Sequence, residues 1–206
     1  EQNKKYLRYS EMEHAMLSSF ANEDQLKRAT ATLHNLGNIL HYSDLPQSNP
    51  HTFYLKEWII LEPQWLIDHL KRVITENPQS SHWVKEGWLN HSDLPQIWPN
   101  LSNEIRMWLL QAMYHFGIAS PSENRIFVPS RLPDIPPTYR LPNNFLNSPL
   151  YRCFHFKQGE HDFLPLDIFP SITASPRLES LLLKHLCWRK GAVFADRTQN
   201  PQFLLQ

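Results

Sequence analysis

Eleven histidines and two cysteines are the side chains of this protein that could bind a metal ion or act as a nucleophile. Zinc sites usually combine two ligand pairs, with the members of each pair roughly two to five residues apart. The nearest approach is His155 with His161, close to Cys153, and no second pair completes a site. The spacing therefore predicts no metal centre. The alternative is a metal enzyme or hydrolase that uses Cys153, His155 and His161.

The two cysteines lie in apolar surroundings. Cys153 is in an aromatic segment and Cys187 is beside Trp188, which is typical of a small buried hydrophobic residue. Two cysteines make no disulfide framework and fit a reducing compartment, so we expect a cytoplasmic protein.

Motifs for catalysis are missing from the sequence. A nucleotide-hydrolysing domain would need a glycine-rich loop of the form GxxxxGK[ST] to hold phosphates, and the sequence has no such stretch and only five glycines. It also has no GxSxG nucleophile turn and no motif for a carboxylate pair. We therefore expect a fragment that is not an enzyme and has no cofactor of its own.

The charges are balanced, with 20 basic and 20 acidic residues. A chain without net charge exerts no long-range attraction on nucleic acid or an anionic membrane. The helix candidates carry only short cationic pairs, Lys27 with Arg28 and Lys71 with Arg72. No apolar run approaches the roughly 18 residues that a membrane-spanning helix needs. We expect no nucleic-acid partner and no transmembrane segment.

Two helices are predicted at the start of the chain, over residues 10–20 and 22–36. Asn22 is an N-cap candidate with Gln25 three residues later, and Gly37 ends the second helix. The apolar positions of that helix predict its buried side: Leu26, Ala29, Leu33 and Leu36.

Two β-like segments follow, over residues 38–43 and 53–61, and the second alternates between two faces. Pro63 suits the first position of a new helix. The spacing predicts that this helix buries Trp65, Leu66, Leu70 and Val73.

The next elements are a short helix capped by Ser92 and a helix from Ser102 to Gly117. A hairpin is then predicted from residues 118–119 and 125–128. Together these elements indicate a winged-helix-like unit. The helix predicted from Ser102 to Gly117 has an apolar side formed by Ile105, Leu109, Ala112, Met113 and Phe116.

The second half is predicted to be a smaller α+β subdomain. Five prolines within residues 131–149 indicate a connector. A strand is predicted over residues 150–157, and later strands over 188–195 and 202–205. Leucines at helical spacing predict a helix between them, with Leu178, Leu181, Leu182 and Leu186 on one side.

Six tryptophans lie between residues 58 and 108: Trp58, Trp65, Trp83, Trp88, Trp98 and Trp108. They fit a packed core, since each ring buries a large area. They also fit a protein-binding face, which would leave one or two of them exposed.

Read in order, the motifs resemble the COR region of Roco proteins, the group that includes the leucine-rich-repeat kinases. The first-half motifs are LHNLGNILHY at residues 33–42, WIILEPQWL at 58–66, GWL at 87–89, FGI at 116–118 and FVPSRLP at 127–133. The second-half motifs are FLP at residues 163–165 and CWRKG at 187–191. The chain departs from the family at Asp167, and at residues 170–176, where two prolines replace a basic apolar helix.

The resemblance implies a winged-helix-like subdomain (COR-A) at residues 1–135, a connector at 136–149 and a C-terminally truncated COR-B subdomain at 150–206. COR-A would contact a Roc GTPase domain of the same chain, which would bind GTP or GDP. COR-B would support a homodimer and contacts to further domains, a kinase among them. The GTPase-facing residues would be Trp58, Ile59, Ile60, Trp65 and His69. A winged-helix domain that binds nucleic acid is the alternative function.

Overall fold

The computed structural model mixes helices and strands, which confirms the α+β class. It describes residues 4–20, 22–43, 45, 53–75, 82–135, 157–158, 161–162, 168–175, 177–178, 180–195 and 201–205. Contacts group the chain into unit 1, Glu1–Thr75 with Ser92–Phe116, and unit 2, Glu76–His91 with Gly117–Gln206. The predicted division into residues 1–135, 136–149 and 150–206 stays a prediction, as do the names COR-A and COR-B for its parts.

Unit 1 is mainly helical with one short strand pair. Its elements are β1 (Tyr6–Arg8), α1 (Tyr9–Met16), α2 (Glu23–Asn35), α3 (Phe53–Glu57), β2 (Trp58–Ile60), α4 (Pro63–Ile74), α5 (Leu94–Ile97) and α6 (Asn103–His115). Leu17–Ser19 and His91–Asp93 form 3₁₀ turns before α2 and α5.

The helix starts follow local side-chain chemistry. The Asn22 Oδ1 accepts the Gln25 backbone N–H at 2.9 Å, and the Ser102 Oγ accepts the Ile105 N–H at 3.4 Å. Pro63 begins α4. These three predicted starts are confirmed. The prediction for Ser92 is wrong, because α5 begins after Asp93 and has no side-chain cap.

The end of α2 explains why its predicted buried side is only partly right. The Asn38 N–H donates to the Leu33 carbonyl and the Gly37 N–H to the His34 carbonyl, with Gly37 at a φ of +74°. This cap usually places an apolar side chain just beyond the glycine, over the last helical turn. Asn38 occupies that place here, and Leu33 and Leu36 are exposed instead of buried.

The predicted strand over residues 53–61 is wrong in its first half. Residues Phe53–Glu57 form the helix α3, and only Trp58–Ile60 form a strand. Short apolar runs fit either structure, and tertiary contacts choose between them. Here Leu55 is buried, and the Tyr54 N–H donates to the Gln111 side chain on α6 at 2.8 Å. In residues 38–43, Leu40 forms a single β-bridge with Ile60.

Half of the six tryptophans between residues 58 and 108 lie in the core. Trp58, Trp98 and Trp108 are buried, and the other three of the six are half-buried. The Trp98 indole N–H donates to the His69 carbonyl at 3.1 Å. Among the described residues, the indole N–H groups of Trp58 and Trp108 have no acceptor. An exposed tryptophan face is therefore not found among these six residues.

Unit 2 contains two three-stranded antiparallel sheets. The first has β3 (Trp88–Asn90), β4 (Ser120–Pro121) and β5 (Arg125–Phe127) in the order β3-β5-β4, and the predicted hairpin is β4 with β5. The other elements are β6 (Lys157–Gln158) paired with β7 (His161–Asp162), α7 (Ile168–Thr173), and a sheet of β8 (Leu182–Trp188), β9 (Gly191–Ala195) and β10 (Pro201–Leu205) in the order β10-β9-β8. The winged-helix topology stays a prediction.

The predicted leucine-rich helix is wrong, because residues Leu182–Trp188 form the strand β8. Both faces of this strand are buried. Leu182 and Cys187 pack with Phe194 on one face, whereas Leu186 and Trp188 pack with Val193 on the other. A strand buried on both sides has no polar alternation, so its leucines also fit helical spacing.

The other second-half predictions have mixed outcomes. The later predicted strands are confirmed as β9 and β10. The predicted strand over residues 150–157 and the FLP motif lie outside the described residues, except for Lys157. Pro170 falls in the first turn of α7, where a proline is tolerated, and α7 is only six residues long.

No helix among the described residues is long and apolar enough to cross a membrane.

Candidate interaction surface

The strand β2 is the element on which the candidate surface is built. It pairs with β1 in antiparallel register, with Tyr6 opposite Ile60 and Arg8 opposite Trp58. The Leu61 N–H extends the pairing by donating to the Lys5 carbonyl at 2.9 Å. On the other side of β2, Leu40 exchanges two hydrogen bonds of 2.9 Å with Ile60. β2 therefore lies between β1 and the Leu40 segment.

Arg8 joins β1 to three other elements. Its Nη2 donates to the Glu104 Oε2 on α6 at 2.6 Å, and its Nη1 lies 3.9 Å from the Glu57 carboxylate on α3. The guanidinium also lies 5.0 Å from the centre of the Trp58 ring. Because all three charged side chains are partly exposed, each pair adds little stability. Their joint effect is to fix where β1 lies on the unit.

Aromatic rings continue from β1 to α4. The Tyr6 ring lies 5.7 Å from Trp58 and 5.1 Å from Trp65, measured between ring centres. The Trp65 ring lies 4.2 Å from His69, one helical turn later. Tyr6, Trp65 and His69 are half-buried and form the part that a partner could touch. We name these three residues the Trp65 surface.

The structure divides the predicted GTPase-facing residues into two groups. Trp58, Ile59 and Ile60 are buried in unit 1, whereas Trp65 and His69 keep part of their side chains accessible. A contact of any of the five with a GTPase stays a prediction. Sequence reasoning missed Tyr6 and Arg8, because a three-residue strand is too short for alternation to be recognised.

A hydrogen bond to the helix backbone orients the His69 ring. Its Nδ1–H donates to the Trp65 carbonyl at 2.7 Å, since a carbonyl can only accept. Burial lowers the pKa of His69 from its usual 6.5, and the Arg72 charge lowers it further, against the Trp65 hydrogen bond and Asp68, which raise it. At neutral pH the ring is therefore uncharged, and Nε2 is an acceptor for a hydrogen bond from a partner.

The groups considered for catalysis or metal binding have no reactive arrangement in the described part of the chain. Within that part, no three His, Cys, Asp or Glu side chains are grouped as metal ligands. Cys187 is buried, and burial raises the pKa of its thiol to about 12 despite the nearby Lys184. Its thiol is therefore protonated and a weak nucleophile. Cys153 and His155 lie outside the described residues, and His161 lies in β7.

Several cations weighed for nucleic-acid binding have partners within unit 1. Lys27 lies 2.5 Å from Glu23 and Lys71 lies 3.7 Å from Asp68, each pair on one helix. The Arg72 Nη1 donates to the Ile97 carbonyl at 3.1 Å. These contacts engage Lys27 on α2 and both Lys71 and Arg72 on α4. The nucleic-acid alternative itself stays a prediction.

Comparison with known proteins identifies a family that this chain matches. Residues 1–132 match the family described as "C-terminal of Roc, COR-A domain". The chain is also similar in fold to the solved structure of Methanosarcina barkeri Roco2 RocCORdC bound to GDP, with a TM-score of 0.51 and 19% identity. That similarity covers 64% of this chain and 40% of the other.

Similar curated proteins are much longer than this chain. It is 33% identical over 196 residues to the probable serine/threonine-protein kinase roco11 of Dictyostelium discoideum, covering 88% of this chain and 12% of the relative. It is 31% identical to the probable serine/threonine-protein kinase qkgA of the same organism, covering 97% and 13%. It is 26% identical to a Roc-COR-CHAT protease of Runella zeae, covering 87% and 17%. The family match includes β1, β2, α4 and all but the last residue of the FVPSRLP motif. The chain belongs to the COR domain family of Roco proteins.

Proposed function

We propose that this chain is a non-catalytic regulatory module, which couples a preceding Roc-type GTPase domain to the other domains of a cytoplasmic signalling protein. The observation that carries the proposal is the family match over residues 1–132, because the family is described as C-terminal of Roc. The GTPase domain would bind GTP or GDP. The names of two similar proteins add kinase activity as a candidate for the parent protein.

The contacts of β1 suggest how a domain before it would act on unit 1. A domain that precedes this chain would join the unit through β1, which is the first strand of the unit. Arg8 links it to Glu57 on α3 and Glu104 on α6, and Tyr6 links it to Trp65 on α4. A displacement of β1 would therefore strain contacts on three helices at once.

The Trp65 surface is the proposed contact with the GTPase domain. Two aromatic rings and a neutral imidazole are chemically typical of interface centres, where aromatic residues are enriched and charges depleted. The Nε2 of His69 adds one acceptor for a directed hydrogen bond. Dimerisation through the second half of the chain remains a proposal that rests on the family resemblance alone.

Calorimetric titration of the 206-residue chain with its parent's GTPase domain tests the proposal. We expect binding whose affinity differs between the GDP-loaded and GTP-analogue-loaded domain, and no binding of nucleotide by the chain alone. Trp65→Ala should weaken binding by about 2 kcal/mol, or roughly thirtyfold in Kd, as for a central aromatic contact. His69→Ala should weaken it less, because it removes one ring and one hydrogen bond.

Ile67→Ala is the matched control, because Ile67 is 46% exposed on the same helix. It lies two residues from both Trp65 and His69, and residues two apart on a helix do not face each other. This variant should leave the affinity unchanged. Absence of binding in both nucleotide states would contradict the proposed function. Equal losses for Trp65→Ala and Ile67→Ala would contradict the choice of surface.

A further inference from the structure

An arginine of unit 2 is held over an aromatic ring. The guanidinium carbon of Arg125 on β5 lies 4.2 Å from the centre of the Trp88 ring on β3. Trp88 packs in turn against Phe127, with ring centres 5.1 Å apart. Phe127 is buried, Trp88 is half-buried and Arg125 is exposed. The exposed guanidinium therefore rests on a ring that is fixed to the core of unit 2.

The strand register places a second cation beside this pair. Lys85 lies opposite Trp88 in an isolated antiparallel β-bridge, and Asn90 lies opposite Arg125 in the pairing of β3 with β5. Directly opposite residues of an antiparallel pair share a face, as do residues two apart on one strand. Lys85 and Arg125 therefore lie on the same face as Trp88, and the neighbouring Asn90 is uncharged. We name Lys85, Trp88 and Arg125 the Arg125 surface.

The two cations of the Arg125 surface are not neutralised by contacts within the described part of the chain. Neither Lys85 nor Arg125 forms an ion pair there. The carboxylates nearest in sequence, Glu86 and Glu123, lie in turns and form no ion pair there either. By contrast, Arg8 of unit 1 lies against the carboxylates of two glutamates. The Arg125 surface thus carries positive charge that an external anion can meet.

We propose that the Arg125 surface binds an acidic segment of a partner protein, whose carboxylates pair with Arg125 and Lys85. A guanidinium that packs over a ring keeps the N–H groups along its edge for a carboxylate, which can accept two of them at once. Because Trp88 already holds the arginine, binding orders fewer side-chain torsions than it would for a freely moving surface arginine.

The composition of this chain favours a segment from outside it. Acidic residues occur here at most two in succession, so the chain offers no acidic segment of its own. A nucleic acid fits the site less well, because its affinity depends on many phosphate contacts and this surface offers two cations. The Arg125 surface belongs to unit 2 and shares no residue with the Trp65 surface of unit 1. Its binding therefore does not depend on the proposed function.

Fluorescence anisotropy of a labelled oligo-glutamate peptide, titrated with the 206-residue chain at low ionic strength, tests the site. We expect saturable binding that weakens as salt is added. Arg125→Ala should raise the Kd about tenfold, and Lys85→Ala should raise it less, because no ring contact holds that ammonium group in place. Arg28→Ala is the matched control, since it removes the same side chain from an exposed position on α2 and should leave the Kd unchanged.

Arg125→Lys separates the geometry of the guanidinium from its charge. It keeps the charge and loses the planar fork, so we expect a Kd about threefold higher than that of the wild type. Circular dichroism checks that each variant is folded. Absence of saturable binding, or equal losses for Arg125→Ala and Arg28→Ala, would overturn the proposal. An oligonucleotide that binds more tightly than the peptide, and that loses affinity with Arg125→Ala, would overturn the choice of an acidic protein segment.

Discussion

Gly87 has a backbone φ of +80°, and a Cβ placed on it would lie 2.8 Å from the Cδ2 and 3.1 Å from the Cγ of Leu132. Gly117, also in unit 2, has a similar φ of +66°, but no atom lies within 4 Å of its Cβ position. The two glycines therefore differ in crowding and share the backbone requirement. Replacing each by alanine separates the two effects.

The backbone effect should be similar at both positions. An L-residue in the left-handed region loses roughly 1 kcal/mol relative to glycine. At Gly87 the new methyl group must also displace Leu132, which is 3% exposed and packs with Phe127 and Leu182. Overpacking of this kind costs about 1–3 kcal/mol. We expect a loss of about 1 kcal/mol for Gly117→Ala and about 2–4 kcal/mol for Gly87→Ala.

Urea unfolding, followed by tryptophan fluorescence and circular dichroism, measures both losses if the slope with denaturant stays constant. Leu132→Val shortens the side chain by one carbon and leaves no atom at the Cδ2 position. Gly87→Ala should therefore be less damaging in that background, with a coupling energy of about 1 kcal/mol or more. Equal losses for Gly87→Ala and Gly117→Ala, or zero coupling with Leu132, would refute the steric argument. The glycine of the GWL motif would then be required by its backbone alone.

Three further outcomes are expected. First, burial lowers the pKa of His69 and His115 in the folded chain, so the unfolded chain binds more protons below its own histidine pKa of about 6.5. The contribution of these two histidines to the free energy of unfolding should be complete above that pH and should decrease as the pH falls below it. In the double variant His69→Gln/His115→Gln, the free energy of unfolding should depend less on pH in this range. Second, Asn22→Ala should lower the free energy of unfolding by about 1 kcal/mol, because it removes the cap of α2, whereas Asn22→Asp should not. Third, Cys187 should react with a disulfide reagent such as DTNB only after denaturation, because its thiol is buried with a pKa raised to about 12; fast labelling of folded Cys153→Ser protein would contradict this.

The Trp65 surface could be anticipated only in part from the sequence. The family resemblance implies that Trp65 and His69 belong to one surface on the helix that Pro63 begins. The resemblance also assigns Trp58, Ile59 and Ile60 to the GTPase-facing surface, yet the strand they form is paired on both edges and buried. Arg8 was missed because its partners, Glu57 and Glu104, are distant in sequence and come near only in the folded unit.

The sequence alone determined where α2, α4 and α6 begin and where α2 ends. The caps at Asn22 and Ser102 and the glycine after α2 depend on groups within about four residues, which the sequence displays directly. The ordered motifs likewise predicted the family, because their residues and spacing are read directly from the sequence.

Tertiary structure decided which apolar segments became helix or strand, and which leucines stayed outside. Residues Phe53–Glu57 are helical where α6 supplies an acceptor for Tyr54, and Leu182–Trp188 is a strand where apolar groups cover both faces. Leu36 at the end of α2 is 70% exposed, although its spacing predicts a buried position. Such outcomes depend on contacts between residues distant in sequence, so spacing alone could not predict them.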